Sequence, residues 1–165
     1  MYRLFALSLI IACGAILYLA AMVYAQDVNL VPYPEGFRKW THVKSAIVGP
    51  GNRAFPKYGG MHHIYANQKA LEGFTTGNFK DGSVIVFDLF ELIEKDGARI
   101  EGSRRFIDVM HKDDKRFANT GGWGFEEFTG SSHTERVLDE KAAMTCFSCH
   151  VSQRDHGYVF SKLRE

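Results

Sequence analysis

Five consecutive residues near the C-terminus, Cys146-Phe147-Ser148-Cys149-His150, constrain this chain more than any other feature of its sequence. Cys-x-x-Cys-His is the motif by which proteins attach a c-type haem. Each thiol adds to one vinyl group of the porphyrin, and the two-residue spacing lets both sulfurs reach the macrocycle from one side. His150 follows directly and is delivered to the iron as an axial ligand. The motif occurs once, so the sequence predicts one covalently bound haem c, attached through Cys146 and Cys149.

The first 25 residues have the layout of an export signal. Met1-Tyr2-Arg3 carries one positive charge, residues 4–23 are almost continuously apolar, and Ala25 supplies a small residue at the end of the segment. This layout is typical of a secretory signal peptide cleaved after Ala25. An uncleaved membrane anchor over residues 4–23 is the alternative, because the apolar run is long for a signal. The sequence therefore predicts an exported, periplasmic protein with a single haem domain over residues 26–165.

The charge of the mature chain does not suggest an electrostatic partner such as nucleic acid, and we expect none. The full chain carries 20 Lys and Arg against 19 Asp and Glu, and removal of the signal takes away Arg3 alone, so the mature part has no formal net charge. Nucleic-acid binding would need a basic stripe along one surface. The pattern of charges shows none.

Three other uses of the cysteine pair compete with haem attachment. A structural zinc site would need a fourth ligand beside the three motif residues, and His156 is the nearest candidate. A thioredoxin-like redox pair belongs in an early βαβ unit, whereas this pair lies near the end of the chain. A disulfide between cysteines so close in sequence would close a tiny loop and stabilise little of a domain. The adjacent histidine and the export signal together favour haem.

Strand and turn signals predict an α+β fold, mainly an antiparallel β-sheet with a few helices and a C-terminal helix or loop that carries the haem-attachment motif. Lys95-Asp96-Gly97 predicts the turn of a hairpin. Asn67 is the predicted N-cap of a short helix that ends at Gly73. A last helix is predicted over residues 134–146, with the motif at or beyond its end. Strands are predicted over residues 38–48, 60–65, 83–93, 98–110 and 123–128.

Two blocks of sequence, followed by the late cysteine motif, resemble the cytochrome P-460 family. The first is Phe79-Lys80-Asp81-Gly82-Ser83-Val84-Ile85-Val86, preceded by Ile64-Tyr65-Ala66-Asn67, and the second runs from Asp108 to Glu126. The resemblance implies a mostly antiparallel β fold with one c-type haem, often as a homodimer. The family includes enzymes that oxidise hydroxylamine at a haem cross-linked to a lysine. It also includes the cytochromes c-prime-beta, which lack the cross-link and bind nitric oxide and carbon monoxide.

The segment before the first block distinguishes these two branches. It reads Glu72-Gly73-Phe74-Thr75-Thr76-Gly77-Asn78, and alignment with the family places Phe74 or Thr75 at the position of the cross-linking lysine. Neither side chain can form that bond. Lys69 lies about a helical turn too early, and Lys80 belongs to the following turn. The resemblance therefore implies the branch without the cross-link.

The resemblance also implies which residues surround the iron. Phe55, Phe74 and Phe79 lie in the half of the chain that faces the haem in this family, and we expect them to supply an apolar distal pocket. The alternative for each ring is ordinary core packing. Glu126 and Glu127 lie on a predicted strand, so one of them faces the interior, where it would relay protons.

Three functions remain open at this point. The first is a five-coordinate haem protein that binds a diatomic gas, nitric oxide or carbon monoxide. The second is an oxidoreductase that acts on hydroxylamine or nitric oxide. The third is an electron carrier with a redox-partner protein, and its haem would recruit a second axial ligand. The side chains available for that are Met61, Met110, Met144 and the histidines at positions 42, 62, 63, 111, 133 and 156. The missing lysine favours the first function.

Overall fold

The structure, a computed structural model, describes residues 30–163 of the chain. From Val31 onward these residues form one compact unit, which contains the predicted sheet and the cysteine motif. The predicted signal or anchor over residues 1–25 lies outside the described residues. No helix within the described part of the chain is long and apolar enough to cross a membrane.

A five-stranded antiparallel sheet forms the centre of the unit, and its strands lie side by side in chain order. The strands are β1 (Thr41–Val48), β2 (Gly60–Ala66), β3 (Val84–Lys95), β4 (Ala98–Lys112) and β5 (Trp123–Thr129). The α-helices are α1 (Phe55–Tyr58), α2 (Gln68–Thr76) and α3 (Glu140–His150). Short 3-10 helices occupy Phe37–Lys39, Ala118–Thr120 and Val151–His156. This arrangement confirms the predicted α+β class with a C-terminal helix.

Turn geometry explains where the strands begin and end. Asp96 and Gly97 both have positive φ, 52° and 77°, which is the conformation of a two-residue type I′ turn whose twist matches the flanking strands. The predicted hairpin is therefore confirmed. The first strand, in contrast, begins at Thr41 rather than at residue 38, because Phe37–Lys39 form a 3-10 turn.

Helix α2 begins where it was predicted and ends later. The side-chain oxygen of Asn67 accepts a hydrogen bond from the backbone N–H of Ala70 at 2.9 Å, as an N-cap does. The predicted end at Gly73 is wrong, because the helix continues to Gly77, which ends it with a φ of 75°. Gly73 lies inside the helix for a packing reason, since the ring of Phe79 fills the space that a Cβ would need.

The last helix was also predicted in the wrong place. Helix was expected over residues 134–146, but α3 begins at Glu140 with Asp139 as its N-cap. The preceding residues lie along the edge strand β5, where the Val137 N–H donates to the Glu127 carbonyl at 3.0 Å. Buried backbone groups need hydrogen-bond partners, so this pairing delays the start of the helix. The cysteine motif consequently forms the C-terminal end of α3, which finishes at His150, so its predicted place at the end of the last helix is confirmed.

Both faces of the sheet are covered, and we call them the cavity face and the outer face. Ile64, Phe87, Asp108 and Glu127 lie in register across β2 to β5 and point to the cavity face. Helices α2 and α3 pack on that face. Its core consists of Val43, Ile64, Ala66, Ala70, Phe79, Ile85, Met110, Trp123, Phe125 and Val159. The outer-face core consists of Val31, Phe37, Val86, Ile107, Val109 and Phe128.

Candidate haem site

Helix α3 places the three residues of the cysteine motif at one wall of a cavity. The cavity has a volume of about 690 Å³, and Cys146, Cys149 and His150 all line it. Positions three and four residues apart on a helix lie on the same side, so the spacing of the motif brings these side chains together. Cavities that hold organic ligands usually measure about 300–1,000 Å³. A shallower hollow of about 370 Å³ at the β3–β4 turn contains no cysteine or histidine.

A turn behind α3 fixes the orientation of His150. Its Nδ1 lies 2.7 Å from the Tyr158 carbonyl oxygen. A carbonyl only accepts hydrogen bonds, so Nδ1 carries the proton and Nε2 keeps the lone pair that a metal ion requires. Burial lowers the pKa of His150, which keeps the imidazole neutral. The rings of Phe125 and Phe160 flank it, with centroids 5.2 and 4.9 Å away.

Trp123 holds that turn in place. Its indole N–H donates to the Gly157 carbonyl at 2.9 Å. Gly157 and Tyr158 both have left-handed backbones, with φ of 64° and 66°, a conformation that is uncommon for tyrosine. The Tyr158 ring packs against Phe147, 5.6 Å between centroids. The turn thereby aims the Tyr158 carbonyl at His150, and no local sequence pattern had indicated it.

Hydrocarbon side chains form most of the cavity wall. Asn52 and Arg53, which are exposed, lie at its edge. The apolar members of the wall are Val48, Ala54, Ile64, Ile85, Phe87, Val109, Met110, Phe125, Leu138 and Phe160. An apolar wall suits a flat hydrophobic macrocycle, and two thiols with a neutral imidazole are the donors that a c-type haem requires. The residues present therefore fit a haem.

None of the three phenylalanines expected in the distal pocket lines the cavity. Phe55 is exposed on α1. Phe74 and Phe79 pack edge to face, 5.3 Å between centroids, in the core under α2. The phenylalanine rings that line the cavity belong to Phe87, Phe125 and Phe160. The sequence did not predict Phe87 as a cavity residue, because β3 is apolar on both faces and its pattern does not show which face meets the cavity.

No lysine among the described residues lines the cavity. Lys69 donates to a backbone carbonyl 3.1 Å away in the turn before β3, and Lys80 is exposed in the same turn. Lys57 adjoins the cavity residue Tyr58, but its Nζ lies 2.8 Å from Oε2 of Glu127. Burial alone would lower the pKa of Lys57, whereas the hydrogen bond to Glu127 raises it overall and keeps the amine protonated.

Glu126, one of the two predicted proton-relay residues, is fully engaged by hydrogen bonds. Nη1 of Arg136 donates to its Oε2 at 2.6 Å, and the N–H of Glu127 donates to its Oε1 at 3.0 Å. Arg136 also donates to the Val31 carbonyl at 2.7 Å. Glu126 therefore joins the N-terminal segment to the stretch before α3. Strand alternation predicted that only one of the two glutamates faces the interior, but both are buried because both sheet faces are covered.

Asp108, which no sequence pattern had singled out, lies in the cavity opposite Glu127. The two residues form a direct cross-strand pair between β4 and β5. Burial and the charge of Glu127 raise the pKa of Asp108 to about 8. Part of Asp108 is accessible from the cavity, whereas its Oδ1 is enclosed and has no hydrogen-bond partner among the described residues. Two carboxylates this close do not both ionise readily, so the pair holds a proton near neutral pH.

Three further groups surround this carboxyl pair. Lys57 forms the ion pair with Glu127 already described. Burial and the charge of Asp108 raise the pKa of Tyr58 to about 12. The same two causes raise the pKa of the Cys146 thiol to about 11. The charge of Asp108 therefore acts on the thiol of Cys146, the first cysteine of the motif.

Met110 is the only described methionine that lines the cavity. Met144 is 41% exposed on α3 and lies outside the cavity. His62 and His63 point to opposite faces, as their alternation predicted. His62 is packed against Phe87, with ring centroids 4.5 Å apart, and His63 lies on the outer face. The remaining histidines considered as second ligands do not line the cavity either.

The alternatives to haem attachment receive no support from the geometry. Both thiols are free, so the cysteines do not form a disulfide. Within residues 30–163, no group of three or more His, Cys, Asp or Glu side chains is arranged to hold a metal ion, so a zinc site lacks its donors. The pair also lies on a helix that follows an antiparallel sheet, not in a βαβ unit.

Comparison with known proteins identifies one family. The sequence model of the family described as Cytochrome P460 matches residues 34–161. The match covers well over half of the 165 residues and includes the sheet, the cavity wall and the cysteine motif. No curated protein matches the sequence.

Proposed function

The chain belongs to the cytochrome P460 family and is a haem cytochrome, and on that basis we propose that it binds small diatomic ligands at one c-type haem held beside α3. The observation that carries the proposal is a shared location. Cys146, Cys149 and His150 line a single cavity whose wall is otherwise mainly hydrocarbon. The two cysteines would hold the macrocycle through thioether bonds, and Nε2 of His150 would bind the iron.

The haem, when bound, supplies an iron with one coordination position free for a ligand. The protein's own side chains decide which ligands enter. Ile64, Ile85 and Phe87 offer no hydrogen bonds, so a hydrated polar substrate would lose hydrogen bonds that they do not replace. Nitric oxide and carbon monoxide lose few hydrogen bonds to water when they enter the cavity. Asn52 and Arg53 at the cavity edge suit the carboxylate groups of the macrocycle.

An electron carrier would need a second strong axial ligand, and Met110 is the side chain to consider. It lies directly opposite Phe125 in the β4–β5 pairing, and Phe125 contacts the His150 ring. We therefore place the Met110 thioether on the side of the proximal histidine, where it packs in the core. This position favours a five-coordinate iron over an electron-carrier site.

A second candidate function is the oxidation of a small nitrogen compound such as hydroxylamine. Asp108 and Glu127 favour it, because Asp108 lines the cavity and pairs across the strands with Glu127, so the two carboxyl groups would accept protons released during such an oxidation. The lysines speak against it. None lines the cavity, and Lys57 is held as an ammonium ion by Glu127. Gas binding therefore remains the first proposal.

We also propose that the protein is exported to the periplasm and acts as a homodimer. Export follows from the signal layout of residues 1–25, which also delivers the cysteines to the compartment where c-type haems are attached. The homodimer follows from the family resemblance.

The first prediction concerns ligation. Purified ferrous protein without added ligand should give the absorbance spectrum of a high-spin, five-coordinate haem, because no strong second ligand faces the iron. Carbon monoxide and nitric oxide should convert it to ligand-bound spectra, and the ferric protein should not turn over hydroxylamine. Met110→Leu is the matched control and should leave the ferrous spectrum unchanged.

Two results would replace this proposal. A low-spin ferrous spectrum that becomes high-spin in Met110→Leu would establish the electron carrier. Steady hydroxylamine oxidation by the wild type would establish the oxidoreductase.

A further inference from the structure

We propose that Asp108 and Glu127 form a proton-binding site linked to the haem, so that the protein takes up one proton when it takes up one electron. The inference rests on the proposed location of the haem in this cavity. It assigns the cytochrome a further function, the transfer of a proton together with an electron.

The geometry of the pair requires a proton or another positive charge nearby. Asp108 and Glu127 are directly opposed across β4 and β5 on the cavity face, where like charges destabilise each other. Lys57 supplies one ammonium group, 2.8 Å from Glu127. One cation compensates one carboxylate, which leaves the second charge unbalanced. Oδ1 of Asp108 is enclosed without a hydrogen-bond partner in the described structure, so no protein donor offsets the charge at that oxygen.

The other groups that face the pair do not supply the missing charge. Glu126 is already matched by Arg136 at 2.6 Å. Tyr58 remains neutral, and Cys146 would be consumed by the thioether bond. On the neighbouring strand β3, the residue directly opposite Asp108 is Phe87, whose ring is apolar. The titratable or charged groups near the pair are Lys57 and Tyr58 of α1, Glu126 of β5 with its partner Arg136, and Cys146 of α3. Arg53 lines the same cavity but is exposed, so solvent screens its charge.

A haem iron held by His150 would supply that charge when ferric and would not supply it when ferrous. With the iron ferric, its extra positive charge stabilises the second carboxylate. The pair binds one solvent proton when an external one-electron donor reduces the iron to ferrous, because that positive charge is then lost. Oxidation reverses both events. The ferrous protein thus binds more protons than the ferric protein, and by reciprocity a higher proton concentration favours reduction.

The proposal predicts a midpoint potential that falls as pH rises. Spectroelectrochemistry of the holoprotein should show this fall at pH values on either side of 8, because burial and the charge of Glu127 raise the pKa of Asp108 to about 8. The limiting slope for one proton per electron is about 59 mV for each tenfold change in proton concentration. Asp108→Asn should abolish the dependence in this range, and Glu127→Gln should weaken it. Glu94→Gln is the control, because this carboxylate pairs with Arg99 near the β3–β4 turn and does not line the cavity, and the slope should persist.

A second measurement needs no variant, in case Asp108→Asn fails to fold. The reduced-minus-oxidised infrared difference spectrum of the wild type should show a protonated carboxyl band gained on reduction. A potential independent of pH, a slope that persists in Asp108→Asn, or the absence of that band would overturn the proton site. The carbon monoxide spectrum and the covalent haem content report the proposed function separately. A flat potential in a protein that binds carbon monoxide refutes the proton site alone, whereas protein without covalent haem refutes both.

Discussion

The two neighbouring glutamates of β5 show how single side chains acquire different tasks around the cavity. Glu126 accepts hydrogen bonds from Arg136 and from the backbone, and this fixes the segment that leads into α3. Glu127 points the other way, toward Lys57 and Asp108. Removing one partner of a buried ion pair typically costs about 3–5 kcal/mol, so the Glu126 pair has a structural role. Glu127 instead shares a proton with Asp108, and these two carboxyl groups can respond to a change of charge in the cavity.

His62 leads to a prediction about stability in acid. The side chain is 9% exposed and stacks on Phe87, and burial lowers its pKa to about 4. The pKa of histidine in an unfolded chain is about 6.5. The unfolded chain therefore binds a proton at a pH where folded His62 is still neutral. The resulting stability is complete above about pH 6.5 and is lost as the pH falls toward 4, by roughly 3 kcal/mol in total.

Urea unfolding of the holoprotein between neutral pH and pH 4 measures this effect. His62→Leu should lose less free energy of unfolding on acidification than the wild type. His156→Leu, which replaces an exposed histidine, should follow the wild-type pH course. If His62→Leu also follows the wild-type course, burial of His62 does not govern stability in acid.

Among the structural elements, the turn after α3 matters to the site as much as the helix that carries the motif. The turn supplies the carbonyl that orients His150, and Trp123 anchors it from β5. A hydrogen bond to the second ring nitrogen of a ligating histidine raises the basicity of the ligand. The strength of the iron–histidine bond should therefore depend on a tryptophan that contacts neither group directly.

Trp123→Phe tests this dependence. The variant leaves the Gly157 carbonyl without its donor, so the turn loosens and the Tyr158 carbonyl holds Nδ1 of His150 less well. The iron–histidine stretching frequency in the resonance Raman spectrum of the ferrous protein should fall. Stability should drop by about 1–3 kcal/mol, because a buried acceptor is left unsatisfied. Val43→Ala, a core change at the far edge of the sheet, should reduce stability without moving the frequency. An unchanged frequency in Trp123→Phe would show that the turn does not tune the ligand.

Elements with local signals were predictable from the sequence, and those that depend on neighbours were not. Asp96-Gly97 encodes its turn in two residues, and Asn67 caps α2 through its own side chain. The start of α3 depends instead on the pairing of residues 134–138 with β5, which no local pattern reveals. Helix α2 ends at its C-cap Gly77, whereas Gly73 lies inside the helix because the ring of Phe79 packs against it, and no local pattern reveals that contact.

At the scale of the whole molecule, the haem site also combines residues that a local pattern predicts with residues that only the fold brings together. Cys146, Cys149 and His150 lie within five consecutive residues, so their sequence spacing alone predicted the attachment motif. The opposite wall comes from residues distant in sequence that only the register of the sheet brings together, such as Phe87 and Asp108. The distal phenylalanines expected from the family resemblance are therefore not among the residues that line the cavity, and the pairing of Asp108 with Glu127 depends on the register of the strands.

The central claim is that this cavity holds one covalently attached haem, and denaturing mass spectrometry of the intact protein tests it most directly. The protein should be produced in a host that exports it and assembles c-type haems. The wild type should exceed the mass of its polypeptide by one haem. Cys146→Ala and Cys149→Ala should each lose the stable two-bond attachment, whereas Ser148→Ala, between the two cysteines, should retain the full adduct. A wild-type protein at the mass of the bare polypeptide, or one that gains a metal ion and no haem, would contradict covalent haem attachment in this cavity.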